Sequence, residues 1–397
     1  MNEPIVITGT GIVTPLGEDV EALAGRVEAG EPARFRPSRV PGFADDPDSR
    51  FGAVSNPDPE EFLRDRKNLK YMDTLARLAV RAAGLAVRDA ALATASLDPY
   101  RIGLYMGIGF VASELRDLKP VIVAGRGPDG RFDAALVGDR CRINPISVFR
   151  SLPNIPACNV SIAMGFKGEN SVLYPGAVQT ALALDEAIEA LREGRCDVAL
   201  AGGAAQAASF LTLHTLSMMD QLPGPCQNGV PPADGAAVLV LERRSDAVNR
   251  GARLHGEILG VAVASGDGWP YRAPPSREHL ERAFAGALDR AALPAVADRS
   301  GPEGSAAGSG VLIPGDDGHR SVEGIAASVA EGLLGERRSR WACWSTRRAT
   351  GNASAANLPL DLALGLALAR RSGRELVLVG ASGVGPDAAA CLARVAG

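Results

Sequence analysis

The stretch that most constrains how this chain can fold runs from Gly168 to Gly194, GENSVLYPGAVQTALALDEAIEALREG. Up to Leu173 the chain reads as a buried strand, with Val172 and Leu173 apolar and Val172 β-branched. Pro175-Gly176 then forces a sharp turn, and an alanine- and leucine-rich helix is expected from about Val178. A tight strand-to-helix turn is where an enzyme would display a nucleophile, because the positive end of the new helix meets developing negative charge. Here the tip carries Gly176, Ala177 and Val178, with no Ser, Cys or Thr. The sequence therefore predicts a geometry suited to catalysis without a nucleophile.

The rest of the chain alternates strands and helices. Pro4–Val13 reads as a β-branched strand, and Arg101–Gly109 (RIGLYMGIG) as another. Between them Met72, Leu75, Leu78, Ala79, Ala82 and Ala86 recur at helical spacing, which predicts a long helix from about Lys70 to Ala93. Phe110–Val123 is expected to give a short helix and an extended segment. Asp197–Gly203, Ala236–Glu242, His255–Ser265, Gly310–Gly315, Ala342–Thr346, Glu375–Gly380 and Ala388–Val395 read as strands. Helices are expected at Arg243–Arg250, Glu278–Ala291, Val322–Leu334 and Leu360–Arg371. This alternation predicts α/β layers. The order strand–turn–helix starts at residue 4 and again near residue 255, which points to a duplicated unit. Gly9 and Gly11 are a weak sign of dinucleotide binding: the third glycine is absent, and Pro15 stands where the phosphate-binding helix should begin.

Composition excludes several function classes. A chain of 397 residues has ample core for two domains or one duplicated one. With 46% hydrophobic and 22% charged residues, it is expected to be soluble and globular. A net charge of −4 without a long basic run speaks against nucleic acid. No apolar run could span a bilayer and MNEPIVITGTG is not a leader, so a cytoplasmic location is expected and no membrane partner. The six cysteines lack CxxC spacing and are expected as buried small hydrophobes. The four histidines are dispersed, so no metal site is expected.

IVITGTGIVTPLG, RIGLYMGIG, LPNIPACNVSIAMGFKGENS, DVALAGGA and DGAAVLVLE together, in this order, resemble the β-ketoacyl synthases of the thiolase fold across nearly the full length. The resemblance implies an α/β, thiolase-like fold with duplicated five-layered α-β-α-β-α architecture, in halves 1–245 and 246–397. That family condenses acyl thioesters on acyl carrier protein. A cysteine at the strand–helix turn takes the chain, since a thiolate at a helix N-terminus is nucleophilic and stabilised; two histidines promote decarboxylation and a lysine supports one of them. Carried over position by position, Ala177 takes the cysteine's place, Pro314 and Asn352 those of the histidines, and Arg347 that of the lysine. Gln179 lies two positions beyond Ala177 and does not align with the cysteine.

With the chemical positions altered and the rest kept, the chain resembles a chain length factor, the non-catalytic ketosynthase-like subunit of type II polyketide systems. Leu358-Pro359-Leu360-Asp361-Leu362 is similar to that subunit's Gly-Pro-Leu-Asp-Val. The resemblance implies a heterodimer with an active ketosynthase and an acyl carrier protein bearing a phosphopantetheine-bound polyketide or polyene chain. It implies no cofactor for this chain. It also places Phe110 and Leu115 at the subunit contact or the substrate tunnel, where side-chain volume can stop a growing chain; ordinary core packing of Phe110 is the alternative. Two further readings stand beside it: a divergent acyltransferase or condensing enzyme using residues such as His319 or Cys158, and a homodimeric acyl-chain-binding protein.

Overall fold

The computed structural model describes residues 3–35, 40, 50–110, 115–141, 145–176, 178–219, 230–266, 275–292, 308–315, 324–383 and 385–396. Its strands are β1 Ile5–Val13, β2 Ile102–Ile108, β3 Asn170–Leu173, β4 Val198–Gln206, β5 Asp234–Arg243, β6 Gly256–Ala264, β7 Gly310–Ile313, β8 Trp341–Cys343, β9 Leu376–Ser382 and β10 Ala388–Val395. The helices are α1 Val20–Glu28, α2 Thr74–Asp89, α3 Leu115–Ala124, α4 Ala135–Arg140, α5 Pro145–Arg150, α6 Ile155–Met164 and α7 Val178–Arg192. They continue with α8 Phe210–Met218, α9 Arg244–Asn249, α10 Arg277–Arg290, α11 Ile325–Leu334, α12 Thr346–Thr350 and α13 Asn357–Arg371.

The strands form one ten-stranded sheet in the order β3-β2-β4-β5-β1-β6-β10-β9-β7-β8. Outward from the middle, the first half runs β1-β5-β4-β2-β3 and the second runs β6-β10-β9-β7-β8, each strand five places further on. The pairing senses repeat too: β2 is parallel to β3 and β4, and β7 is parallel to β8 and β9. The halves join where β1 pairs antiparallel with β6, Ile5 opposite Ile258 and Ile7 opposite Gly256.

Three apolar clusters mark the helical layers. One packs α2 and α6 on the outer face of the first half, and another packs α10 and α11 on the outer face of the second. The third joins α1, α7 and α13 to the inner faces of both halves. Helix, sheet, helix, sheet, helix is the duplicated thiolase-like arrangement, with α7 and α13 in the middle layer.

Gly9 and Gly11 serve this packing. A Cβ on Gly9 would stand 2.3 Å from the Ala86 carbonyl oxygen, and one on Gly11 would stand 2.0 Å from that of Ala82. The glycines let α2 lie directly on β1, which is a close backbone approach rather than a phosphate cradle. The long helix expected from Lys70 begins only at Thr74, because Asp73 caps it by accepting from Ala76 N at 2.8 Å; residues 66–71 form a 3₁₀ turn instead.

Three expectations are corrected. The strand ending at Leu173 is not buried: among the described residues β3 pairs only with β2, at the sheet edge, and its residues are exposed or half-buried. The strand expected over Ala342–Thr346 is the shorter β8, and Thr346 already opens α12. Of the cysteines, Cys196 and Cys391 are buried, whereas Cys141 and Cys158 are half-buried and Cys343 is exposed; Cys226 lies outside the described residues.

Candidate functional site at the central turn

The central turn follows β3 through Tyr174, a cis Pro175 and Gly176, and α7 begins at Val178. Position 177 itself lies outside the described residues. Gly176 N donates to the Ile108 carbonyl at 3.2 Å, which ties the turn to the end of β2. Within the first turn of α7, Thr180 Oγ1 donates to the Ala355 carbonyl at 2.6 Å. A Cβ on Gly203 of β4 would stand 2.0 Å from that same oxygen. The ends of β2 and β4, the start of α7 and the 3₁₀ turn Ser354–Ala356 therefore meet at one place. The carboxyl ends of parallel strands are where open α/β sheets gather their sites.

The second half contributes from the matching strand ends. Pro314 and Gly315 follow β7, both buried. Gly315 has φ +73°, and a Cβ there would stand 1.9 Å from the Gly380 carbonyl oxygen. Trp344 N donates to the Leu312 carbonyl at 2.9 Å, so the chain leaving β8 passes beside β7 before entering α12 and Arg347.

Arg347 does not face solvent. Its side chain is 2% exposed, and Asp361 on α13 is wholly buried beside it. Nη1 donates to Asp361 Oδ1 at 2.8 Å, and Nη2 lies 2.6 Å from Oδ2. Thr346 Oγ1 donates to the same carboxylate at 2.7 Å. Burial pushes the Asp361 carboxyl above the usual range, against the pull of Arg347 and Thr346. Asn352 is likewise engaged: its Oδ1 accepts from Ser354 N and Asn357 Nδ2, each at 2.8 Å. That amide braces Ser354, a non-glycine residue at φ +47°.

The sequence reading named Pro314 after β7, Arg347 on α12 and Asn352 just past it, while Ala177 lies outside the described residues. It missed what they touch. The Arg347–Asp361 pair and the Thr180–Ala355 bond have no local signature. Gln179, set aside on register, reaches back over the turn: its Oε1 lies 2.8 Å from where a Cβ on Gly176 would stand. Beneath the first turns of α7, the seam lined by Thr180, Leu184, Gly202, Leu239, Leu358 and Pro359 has no room for a water molecule.

The rival candidates lie elsewhere. Cys158 is on α6 in the outer layer, and its sulfur accepts from Asn154 Nδ2 at 3.7 Å. His214 holds the Phe210 carbonyl at 2.9 Å within α8, and His279 takes part in the capping box of α10. His255 pairs with Asp89 beside the C-terminal end of α2. His319 lies outside the described residues. Among the described residues no cluster of three His, Cys, Asp or Glu could hold a metal ion, and no helix is long and apolar enough to cross a membrane.

Residues 2–247 match the family described as Beta-ketoacyl synthase, N-terminal domain. The chain belongs to the β-ketoacyl synthase family. Among β-ketoacyl synthases, it is 27% identical to 3-oxoacyl-[acyl-carrier-protein] synthase 2 of Synechocystis sp., over 73% of this chain and 69% of that protein. The enzyme of the same name from Staphylococcus aureus is also 27% identical, over 74% of this chain and 70% of its own length. Solved structures show the same fold. The ishigamide ketosynthase/chain length factor superposes with a TM-score of 0.77 at 19% identity, over 100% of both chains. A chain of AntDE:AntF, a type II PKS acyl-carrier protein in complex with its ketosynthase bound to the hexaketide, superposes with a TM-score of 0.72 at 18% identity, covering 99% of this chain and 100% of that one.

Proposed function

We propose that this chain is a non-catalytic, chain-length-factor-like subunit that pairs with an active ketosynthase in the cytoplasm. In this reading it shapes the cavity in which a polyketide or polyene chain grows on acyl carrier protein. The observation that carries it is Asn352, at a position where the family resemblance places an imidazole: its amide is spent holding Ser354 and Asn357. Pro314, at the other such position, has no side-chain proton to give or take. Arg347, in the lysine's place, is committed to Asp361 and stays charged. The partner's cysteine and histidines would carry out the decarboxylative condensation.

Pairing is supported by the outer edge of β3, which has no strand partner among the described residues, and by Tyr174 and Leu182 beside it, 42% and 38% exposed. The ishigamide and AntDE:AntF structures are of a ketosynthase/chain length factor and of a ketosynthase with its carrier protein, which favours the same two partners here. Phe110, just past β2 and half-buried, and Leu115, at the start of α3, are the proposed tunnel or interface residues. The two halves are taken as 1–245 and 246–397.

The test is co-expression with an intact ketosynthase encoded beside this chain. A co-purifying heterodimer that condenses malonyl thioester, with this chain inactive alone, is expected. Acyl transfer by the chain alone would favour a divergent enzyme. A homodimer that binds acyl chains and captures no ketosynthase would favour a binding protein.

A further inference from the structure

A second concave region lies at the other end of α13. The helix from Asn357 to Arg370 carries the chain roughly 20 Å away from the central turn. There α1, α2, α13 and the segment entering β6 enclose a cleft of about 440 Å³. That size lies within the range of roughly 300–1,000 Å³ common for small-molecule sites. Val20, Leu85, Ala363 and Leu366 make the lining partly apolar.

Each carboxylate in the lining has at least one donor or cation beside it. Glu18 Oε2 takes Arg81 Nη2 at 2.8 Å, and Asp19 caps α1, accepting from Glu21 N and Ala22 N at 2.9 and 3.0 Å. Glu21 meets Arg370 at 3.4 Å. Asp89 accepts from Thr10 N at 2.8 Å and lies 2.8 Å from His255 Nε2. Although burial works against ionisation, His255 and Thr10 hold the Asp89 carboxyl below its usual range.

What remains free is cationic or hydrogen-bonding. Arg253 is exposed at the cleft and has no hydrogen-bond or ion-pair partner among the described residues. The His255 side chain is only 7% exposed, and its Nδ1 has no partner among them either. Arg253 and His255 both line this cleft, whereas Leu254 between them lines a different one.

We propose that this cleft is a binding site for a small amphiphilic carboxylate, its anionic head on the Arg253 guanidinium next to the His255 ring and its alkyl part along Leu85, Ala363 and Leu366. Arg88 and Arg370 are paired with Glu61 and Glu21, so among the described residues Arg253 alone offers an unpaired guanidinium to the lining, which suits a monoanion with a tail better than a polyanion. The site is separate from the central turn and does not depend on the role proposed there.

The test titrates the full chain with octanoate, octan-1-ol and inorganic phosphate, following heat and the histidine ring signals by NMR. Octanoate is expected to bind and to move the His255 Hε1 resonance, identified with His255→Gln. Octan-1-ol should bind about tenfold or more weakly, and Arg253→Gln should weaken octanoate about tenfold, the loss of one charge-assisted contact. Leu85→Phe narrows the cleft without touching either polar group and is also expected to weaken octanoate. The proposal is overturned if octanoate leaves the histidine signals unmoved, if Arg253→Gln and Leu85→Phe bind it as the parent does, or if phosphate produces the same shift at the same concentration.

Discussion

Arg347 and Asp361, fourteen positions apart on α12 and α13, form a two-point ion pair in the interior, with contacts of 2.8 and 2.6 Å. Removing one partner leaves the other charge buried and uncompensated. Arg347→Ala is expected to cost about 3–5 kcal/mol of stability. The double change Arg347→Met with Asp361→Leu is expected to stay within about 2 kcal/mol of the parent, because no lone charge remains. Urea denaturation of both variants checks this; equal losses would show that the pair's value lies in packing.

Gly315 is a backbone requirement as well as a close contact. At φ +73° an alanine is strained, and its Cβ would stand 1.9 Å from the Gly380 carbonyl oxygen. Gly315→Ala is expected to lower stability by about 2 kcal/mol or more. A melting temperature equal to the parent's would mean that the turn relaxes freely.

Asp234 predicts a pH dependence. It is 3% exposed and accepts from Ala208 N at 3.0 Å and Val54 N at 3.1 Å. Burial pushes its carboxyl up to about 7, against those two hydrogen bonds. The folded protein thus keeps this proton to higher pH than the unfolded chain. Its stabilising contribution is complete below the unfolded pKa of about 3.9 and is lost as pH rises through about 7. Unfolding free energy is expected to fall between about pH 4 and pH 7, by at most about 1.4 kcal/mol per pH unit from this group. Asp234→Asn should flatten that slope in denaturation measured across the range; an unchanged slope would assign it to other groups.

The proposed pairing surface has its own test. Leu182→Glu places a charge where a partner would bury an exposed leucine. Recovery of the ketosynthase complex is expected to drop about tenfold or more, while the stability of the isolated chain changes by less than about 0.5 kcal/mol. Undiminished co-purification would move the interface elsewhere.

Restoring the thiol alone should not restore chemistry. Ala177→Cys is expected to leave condensation at background, because Pro314 and Asn352 still provide no imidazole. Substantial turnover, measured as carbon dioxide released from malonyl thioester, would show that proton transfer comes from other groups.

The sequence alone determined the order and type of most elements. Apolar spacing of two and of three to four, with turn residues such as Pro175-Gly176, is written within a few neighbouring residues, as is the start of α7 at Val178. It also determined which chemical groups are missing from Pro314 and Asn352, since identity needs no coordinates. It did not reveal the fate of the residues present. That β3 lies at an edge, that Asn352 braces Ser354, that Asp361 takes Arg347, and that His255 meets Asp89 across 166 positions are outcomes of packing. Such contacts depend on distances set when the two halves of the sheet close around α7 and α13. No local pattern encodes them, because the partners become neighbours only once the middle layer is buried.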